Sequence, residues 1–224
     1  MSRVFQGSAM KQSLTALAAL LLSACATTSG AGAREAWNTT PILGPLQAAL
    51  LYHREAATPP PPGLALAWPE LCQERGAEKQ AAAVRGAAGR LADEAARVAR
   101  TPLWRVQIRE SLGPYDPIAG GFRTSLRPGS VIRFDSFNYC FKELNYLVVF
   151  RNGDAHGLLR LDEEAARELL RRDPDREVTL DLLVEPVGSQ LDHGAGVVVL
   201  DILRLRAIDA TSAVLLDTAS PPGR

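Results

Sequence analysis

Thr101-Pro102 divides this chain into two parts of different hydrophobic period, and that division limits the folds open to it. Proline lacks an N–H and disfavours helix at the residue before it, so helical spacing must stop there. Upstream, Val84, Ala88, Leu91, Ala95 and Val98 recur at four and three residues and mark one narrow face of a long helix from Pro69 to about Arg100. Pro69 suits a first turn, where its missing N–H has no partner to lose. The face is rich in alanine, and Gly86 and Gly89 each cost on the order of 1 kcal/mol relative to Ala. Such a helix depends on packing for its stability, and a core-facing stripe against its own sheet is the expected arrangement. Ahead of it, Leu43, Leu46 and Leu50 give helical spacing over Ile42 to His53, with Pro45 in the first turn. Between the two helices, Pro59 to Pro62 and Gly63 form a rigid linker in polyproline geometry.

Downstream of Pro102, β-branched and aromatic residues gather between turn signals. Leu103 to Ile108 alternates Trp104, Val106 and Ile108 with Arg105 and Gln107, and Val131 to Phe137 and Glu143 to Phe150 read as strands. Arg151-Asn152-Gly153-Asp154 reads as a turn. One helix interrupts, Asp162 to Arg172: Asp162 caps the amide of Ala165 or a neighbour, Glu163 and Glu164 complement its positive end, and Arg171 and Arg172 its negative end. Then Val178, Leu180, Leu182 and Val184 share one face of a strand, a loop with Asp192, His193 and Gly194 follows, and Gly196 to Ile208 and Ala213 to Leu216 give the last strands. Sequential strands on short turns pair antiparallel. The predicted class is α+β, an antiparallel sheet or small β-sandwich with a long N-terminal helix and one inserted helix.

The 224 residues, 46% of them hydrophobic, suffice for one well-buried core. A single domain is therefore expected over 41–224, helical over 41–100 and strand-rich over 103–217. Basic and acidic residues number 25 each. Arg3 and Lys11 are the only charges before Cys25, which leaves 23 basic against 25 acidic residues beyond them. That balance carries no footprint for nucleic acid. Only Lys11, Lys79 and Lys142 are lysine, a bias that with the many alanines reflects genome composition rather than arginine chemistry.

The first residues carry the most specific pattern. Met10-Lys11, the apolar run Leu14 to Leu22 and then Leu22-Ser23-Ala24-Cys25 reproduce the charged, apolar and small-residue parts of a secretory signal over 1–24. The run is too short to span a bilayer as a helix. Met10 alone opens a complete signal, which makes it the expected true start. Leu22-Ser23-Ala24-Cys25 resembles the lipobox of bacterial lipoproteins. The resemblance implies a diacylglycerol thioether on Cys25, cleavage before it and acylation of the new amino group; two or three chains, at roughly 0.8 kcal/mol per buried methylene, anchor stably. Residues 25–40 then read as the lipidated cysteine and a flexible tether, since Ala26 to Gly32 are small and cannot build a core. Its stretch to Arg34 reaches no more than roughly 30 Å. Ala26 is not the Asp that retains enterobacterial lipoproteins in the inner membrane, so the resemblance implies the outer membrane, facing the periplasm.

Once Cys25 is lipidated, Cys72 and Cys140 remain as an even pair in a compartment that permits oxidation. A bridge would close a loop of roughly seventy residues and contribute about 4 kcal/mol in the chain-entropy model; the alternative is two separate buried thiols. Neither is in a Cys-x-x-Cys spacing. Farther on, Leu112-Gly113-Pro114-Tyr115-Asp116 with Gly120-Gly121-Phe122, followed by strands, the helix at Leu161 to Ala166 and a strand hairpin, resembles an uncharacterised domain of bacterial envelope proteins over about 103–217. The resemblance implies the fold class and no activity.

Chemistry has little to build on. His53, His156 and His193 are the only histidines, and none has metal-ligand spacing. Asp154 with His156, and Asp192 with His193, set a carboxylate beside an imidazole, but both pairs read as lying in Gly-containing hairpin loops, where Asp, Gly and polar residues serve the turn itself. Glu163 and Glu164, as helix neighbours, point apart. There is no nucleophile elbow, no phosphate-binding Gly-rich loop and no pattern that asks for a cofactor or metal. Aromatics crowd between Tyr115 and Phe150 and belong mostly to the sheet core. Phe134 to Phe141 mixes apolar and polar residues too closely for that, and Phe137, Tyr139 and Phe141 would share one strand face as a patch for a protein, glycan or lipid. Two functions remain open: a non-catalytic binding or structural module, held by its lipid anchor and acting on an envelope protein or glycan; and a periplasmic hydrolase whose His and Asp residues converge only in the fold. A concave pocket joining His156 and His193 would favour the second.

Overall fold

A computed structural model describes residues 37–74, 76–127, 129–133 and 146–219. The chain forms two compact units, Met1–Thr39 and Thr40–Arg224. Of the first, only 37–39 are described, and they are helical.

The second unit opens with α1 (Pro45–Glu55), started by Gly44 and Pro45. A 3-10 turn (Pro62–Ala67) follows the prolines. The long helix expected from Pro69 is broken into three pieces: α2 (Pro69–Cys72), α3 (Ala77–Gly86) and α4 (Ala88–Arg100). Gly76, at φ +95°, adopts a backbone that favours glycine and interrupts the chain before α3. Ala87, between Gly86 and Gly89, leaves helical geometry at φ −89°, ψ 1° and kinks the next join. Leu91 and Val98 of the predicted face are buried and Ala95 packs on the core, whereas α3 buries nothing. The Arg54 guanidinium ties α1 to the end of α4 by donating to the carbonyls of Val98 (3.1 Å) and Thr101 (3.3 Å).

Nine strands follow among the described residues: β1 (Trp104–Ser111), β2 (Tyr115–Asp116), β3 (Gly121–Arg123), β4 (Val131–Arg133), β5 (Tyr146–Phe150), β6 (Leu158–Arg160), β7 (Glu177–Asp192), β8 (Ala195–Asp209) and β9 (Val214–Ala219), with α5 (Glu163–Arg172) between β6 and β7. They form a six-stranded sheet in the order β1-β7-β8-β5-β4, with β9 also on β8, and a three-stranded sheet β2-β3-β6. The class is α+β. Pairing is antiparallel except between β5 and β8, which run parallel because α5 and β7 intervene between them in the chain. Asp162 caps α5 through the Ala165 amide at 2.7 Å.

The alternation read in β1 and β7 decides which face is core. Trp104 and Val106, then Val178, Leu180, Leu182 and Val184, join Val148, Phe150, Val198, Leu200 and Ile202 in one apolar cluster with residues of α1, α4 and α5. Each such side chain contributes roughly 1.5–3 kcal/mol by leaving water. The opposite face carries ion pairs instead: Arg105 forks onto Asp181 at 2.5 and 3.1 Å, and Arg204 and Arg206 both meet Asp217.

β5 leaves β8 at Phe150↔Leu200, and β9 joins the same side at Arg204↔Ala219. In the gap the Asn152 side chain stands in for a strand. Its Nδ2 donates to the Ile202 carbonyl (2.9 Å) and its Oδ1 accepts from the Ile202 amide (2.8 Å).

Candidate functional site

Several sequence-predicted positions, Cys25, Phe137, Tyr139, Cys140 and Phe141, lie outside the described residues. Cys72, at the end of α2, is disulfide-bonded, and its partner lies outside the described residues as well. On either side of the aromatic segment, β4 and β5 pair with Arg133 opposite Leu147.

At that end of the sheet a cluster assembles that the sequence did not suggest. Tyr146 opens β5 beside Gly196 of β8, and α1 brings Tyr52 and His53 over the same point. Ring centroids are 5.2 Å apart for Tyr52 and His53, 5.6 Å for Tyr52 and Tyr146, and 5.7 Å for His53 and Tyr146. Gly196 is needed beneath them: a Cβ there would meet the Tyr146 ring at 2.9 Å and the Tyr52 ring at 3.0 Å. His53 joins Tyr146 through Nε2 to the phenol oxygen (2.7 Å) and Thr58 through Nδ1 to Oγ1 (2.9 Å). Burial lowers the imidazole pKa, and burial, with a smaller contribution from Tyr52, pushes the Tyr146 phenol up to about 12. Both groups are therefore neutral at pH 7. With His53 neutral, the phenol O–H donates to Nε2 and Nδ1–H donates to Thr58, or the chain runs in the opposite sense in the other tautomer.

Tyr146 is buried here, and Tyr52 and His53 are half-buried. The arrangement suits proton transfer poorly, since both imidazole nitrogens are taken by Tyr146 and Thr58 and the phenol is held protonated. No local signal could have found it, because His53 and Tyr146 are 93 positions apart and neither sits in a motif.

The two imidazole–carboxylate pairs do not come together. His193 and Gly194, at φ 46° and 84°, make the two-residue turn between Asp192 and Ala195, and the His193 side chain is 97% exposed. His156 ends a 3-10 turn (Gly153–His156) that carries the chain from the large sheet to the small one, not a hairpin loop as its sequence implies. It is buried, its pKa is lowered by that burial, and its ring bonds the backbone of Ile202. Ile202 lies seven positions along β8 from Ala195, roughly 23 Å of strand. Gly120, at φ +70°, makes the positive-φ turn expected of Gly120-Gly121, but Gly121 serves β3: a Cβ there would lie 2.3 Å from the Leu159 carbonyl oxygen.

Among the described residues no group of three or more His, Cys, Asp or Glu is placed to hold a metal, and no helix is long and apolar enough to cross a membrane. No protein-family model, curated protein or solved structure matches the chain.

Proposed function

We propose that this chain is a bacterial lipoprotein, fixed by acylated Cys25 to the periplasmic face of the outer membrane, whose domain is a non-catalytic binding or structural module acting on another envelope component. The observation that carries the proposal is the tetrapeptide Leu22-Ser23-Ala24-Cys25 at the end of the apolar run from Leu14. The disulfide at Cys72 supports it, since such bonds persist in oxidising compartments. With Cys25 lipidated, Cys140 is the bridging partner, and the bridge ties α2 to the segment carrying Phe137, Tyr139 and Phe141. Phe137, Tyr139 and Phe141 are the module's working patch, and a protein or glycan its ligand.

Intact mass of membrane-extracted protein, wild type and Cys25→Ala, with and without reductant, tests the proposal. A lipid-sized increment on a chain starting at Cys25, absent from the variant, is the expected result, with a gain of about two daltons on reduction for one disulfide. An unprocessed chain, or one cleaved elsewhere without lipid, overturns it.

A further inference from the structure

The C-terminal strand has an open side. β9 pairs, among the described residues, with β8 alone. In an antiparallel pair every second residue turns its N–H and C=O toward the neighbour and the rest turn theirs away, so about half of β9's main-chain groups have no strand partner among the described residues. The far edge of the sheet is treated differently. There β1 is covered at its start by Pro41 and Leu43, whose carbonyl and amide bond Arg105 at 2.8 and 2.7 Å. Natural edges are usually blunted by Pro, Lys or an unpaired charge. β9 has neither Pro nor Lys, and its only charge, Asp217, is taken by Arg204 (2.5 Å) and Arg206 (2.9 Å).

Beside this strand lies a cleft of about 660 Å³ between β9 and α5, with Leu161, Ala165, Val214 and Leu215 as its apolar lining. Val214 is 55% exposed. The rest of its lining is charged and balanced, Asp162, Glu164 and Glu168 against Arg167, Arg171 and Arg172, with Arg171 meeting Glu168 at 2.8 Å. An occupant drawn by net charge gains little here. A row of main-chain donors and acceptors with no strand partner among the described residues, next to a cleft with apolar positions at Leu161, Ala165, Val214 and Leu215, is complementary to an extended peptide, which offers the same groups at the same spacing and an apolar side chain at every second position.

We propose that β9 and α5 form a strand-addition site for an extended segment, about six residues long, of a partner protein, with apolar side chains alternating into the cleft. This rests on the domain being a binding module and assigns the partner class. The chain's own residues 220–224, Ser-Pro-Pro-Gly-Arg, are poor occupants, because two of the five lack an N–H.

The test is selection of displayed random heptapeptides on the full mature protein, followed by amide hydrogen exchange with the best synthetic binder. The expected binder alternates apolar residues and slows exchange within Val214–Ala219. Val214→Arg weakens it at least tenfold without lowering Tm, while Ile118→Arg, at a fully exposed position outside the cleft, leaves it unchanged. N-methylation of alternate peptide amides also costs at least tenfold. The proposal is overturned by recovery of no binder, or by a binder indifferent to N-methylation. Protection around Tyr52 and Tyr146 instead overturns the strand site and leaves the binding module standing. Self-association abolished by Val214→Arg gives the edge to a second copy and overturns the partner peptide.

Discussion

Replacing Asn152 by Ala removes the one side chain that stands in for a strand between β5 and β9. Ile202 is fully buried, and its amide and carbonyl both bond Asn152. The carbonyl keeps a bond to the His156 ring in the variant, whereas the amide loses Asn152 Oδ1, which accepts from it at 2.8 Å in the core. An orphaned buried donor costs about 1–3 kcal/mol, and the lost second bond about 0.5–1.5 kcal/mol more, so the expected destabilisation is about 2–4 kcal/mol. Urea unfolding should show a lower midpoint with an unchanged slope, since the surface exposed on unfolding is the same. Asn152→Asp separates the two halves of the effect: it restores an acceptor for the amide but aims a carboxylate at the carbonyl, and it should regain stability only as pH falls and the acid protonates. A loss below about 0.5 kcal/mol in Asn152→Ala, or an Asp variant indifferent to pH, would refute the reasoning and mean that the Ile202 amide finds another partner.

Gly121→Ala should destabilise by about 1–3 kcal/mol through overpacking against Leu159, read as a drop in Tm, while Gly113→Ala, where nothing approaches, should not. His53 and His156 both have pKa values lowered by burial, so the unfolded chain binds more protons just below pH 6.5 and stability is lost as pH falls through that window. The slope of unfolding free energy between pH 7 and 5 should flatten in a His53→Gln, His156→Gln double variant. Cys72→Ser and Cys140→Ser should each lower stability by about 4 kcal/mol, and the double variant by no more than either, if the two cysteines close one loop; unequal losses in thermal melts would point to a different pairing.

The fold class was legible wherever a period was long enough to count. β7 is the clearest case, because Val178, Leu180, Leu182 and Val184 all face the core as their alternation requires. The inserted helix was equally plain from its Asp162 cap. The unbroken helix from Pro69 was not, because its alanines fit a helix whether or not the chain turns at Gly76 and Ala87, and only packing settles that. The parallel β5–β8 pair was hidden for a similar reason: pairing partners are chosen by tertiary placement, and the rule that neighbours in sequence pair antiparallel does not reach across an inserted helix. Asn152 looked like a turn residue because its backbone does make a turn; what its side chain bonds lies 50 positions away. The Tyr52, His53 and Tyr146 cluster has the same origin, a long-range meeting of residues with no local pattern.

The sheet's strand order also fixes when the fold can form. β1 meets its ladder partner, β7, from Trp104↔Val184 to Ser111↔Glu177, and β5 meets β8 from Tyr146↔Gly196 to Phe150↔Leu200, so both ladders join segments far apart in the chain. Both partners belong to the hairpin of β7 and β8, whose two long strands meet through a two-residue turn and so close quickly. A chain that emerges with its N-terminus first must therefore keep β1 without its ladder partner, and the β4–β5 pair apart from the rest of its sheet, until the C-terminal third has followed. The last segment to appear is the template on which the earlier ones assemble, and a passage threaded by an extended chain would meet little folded structure until that segment arrives.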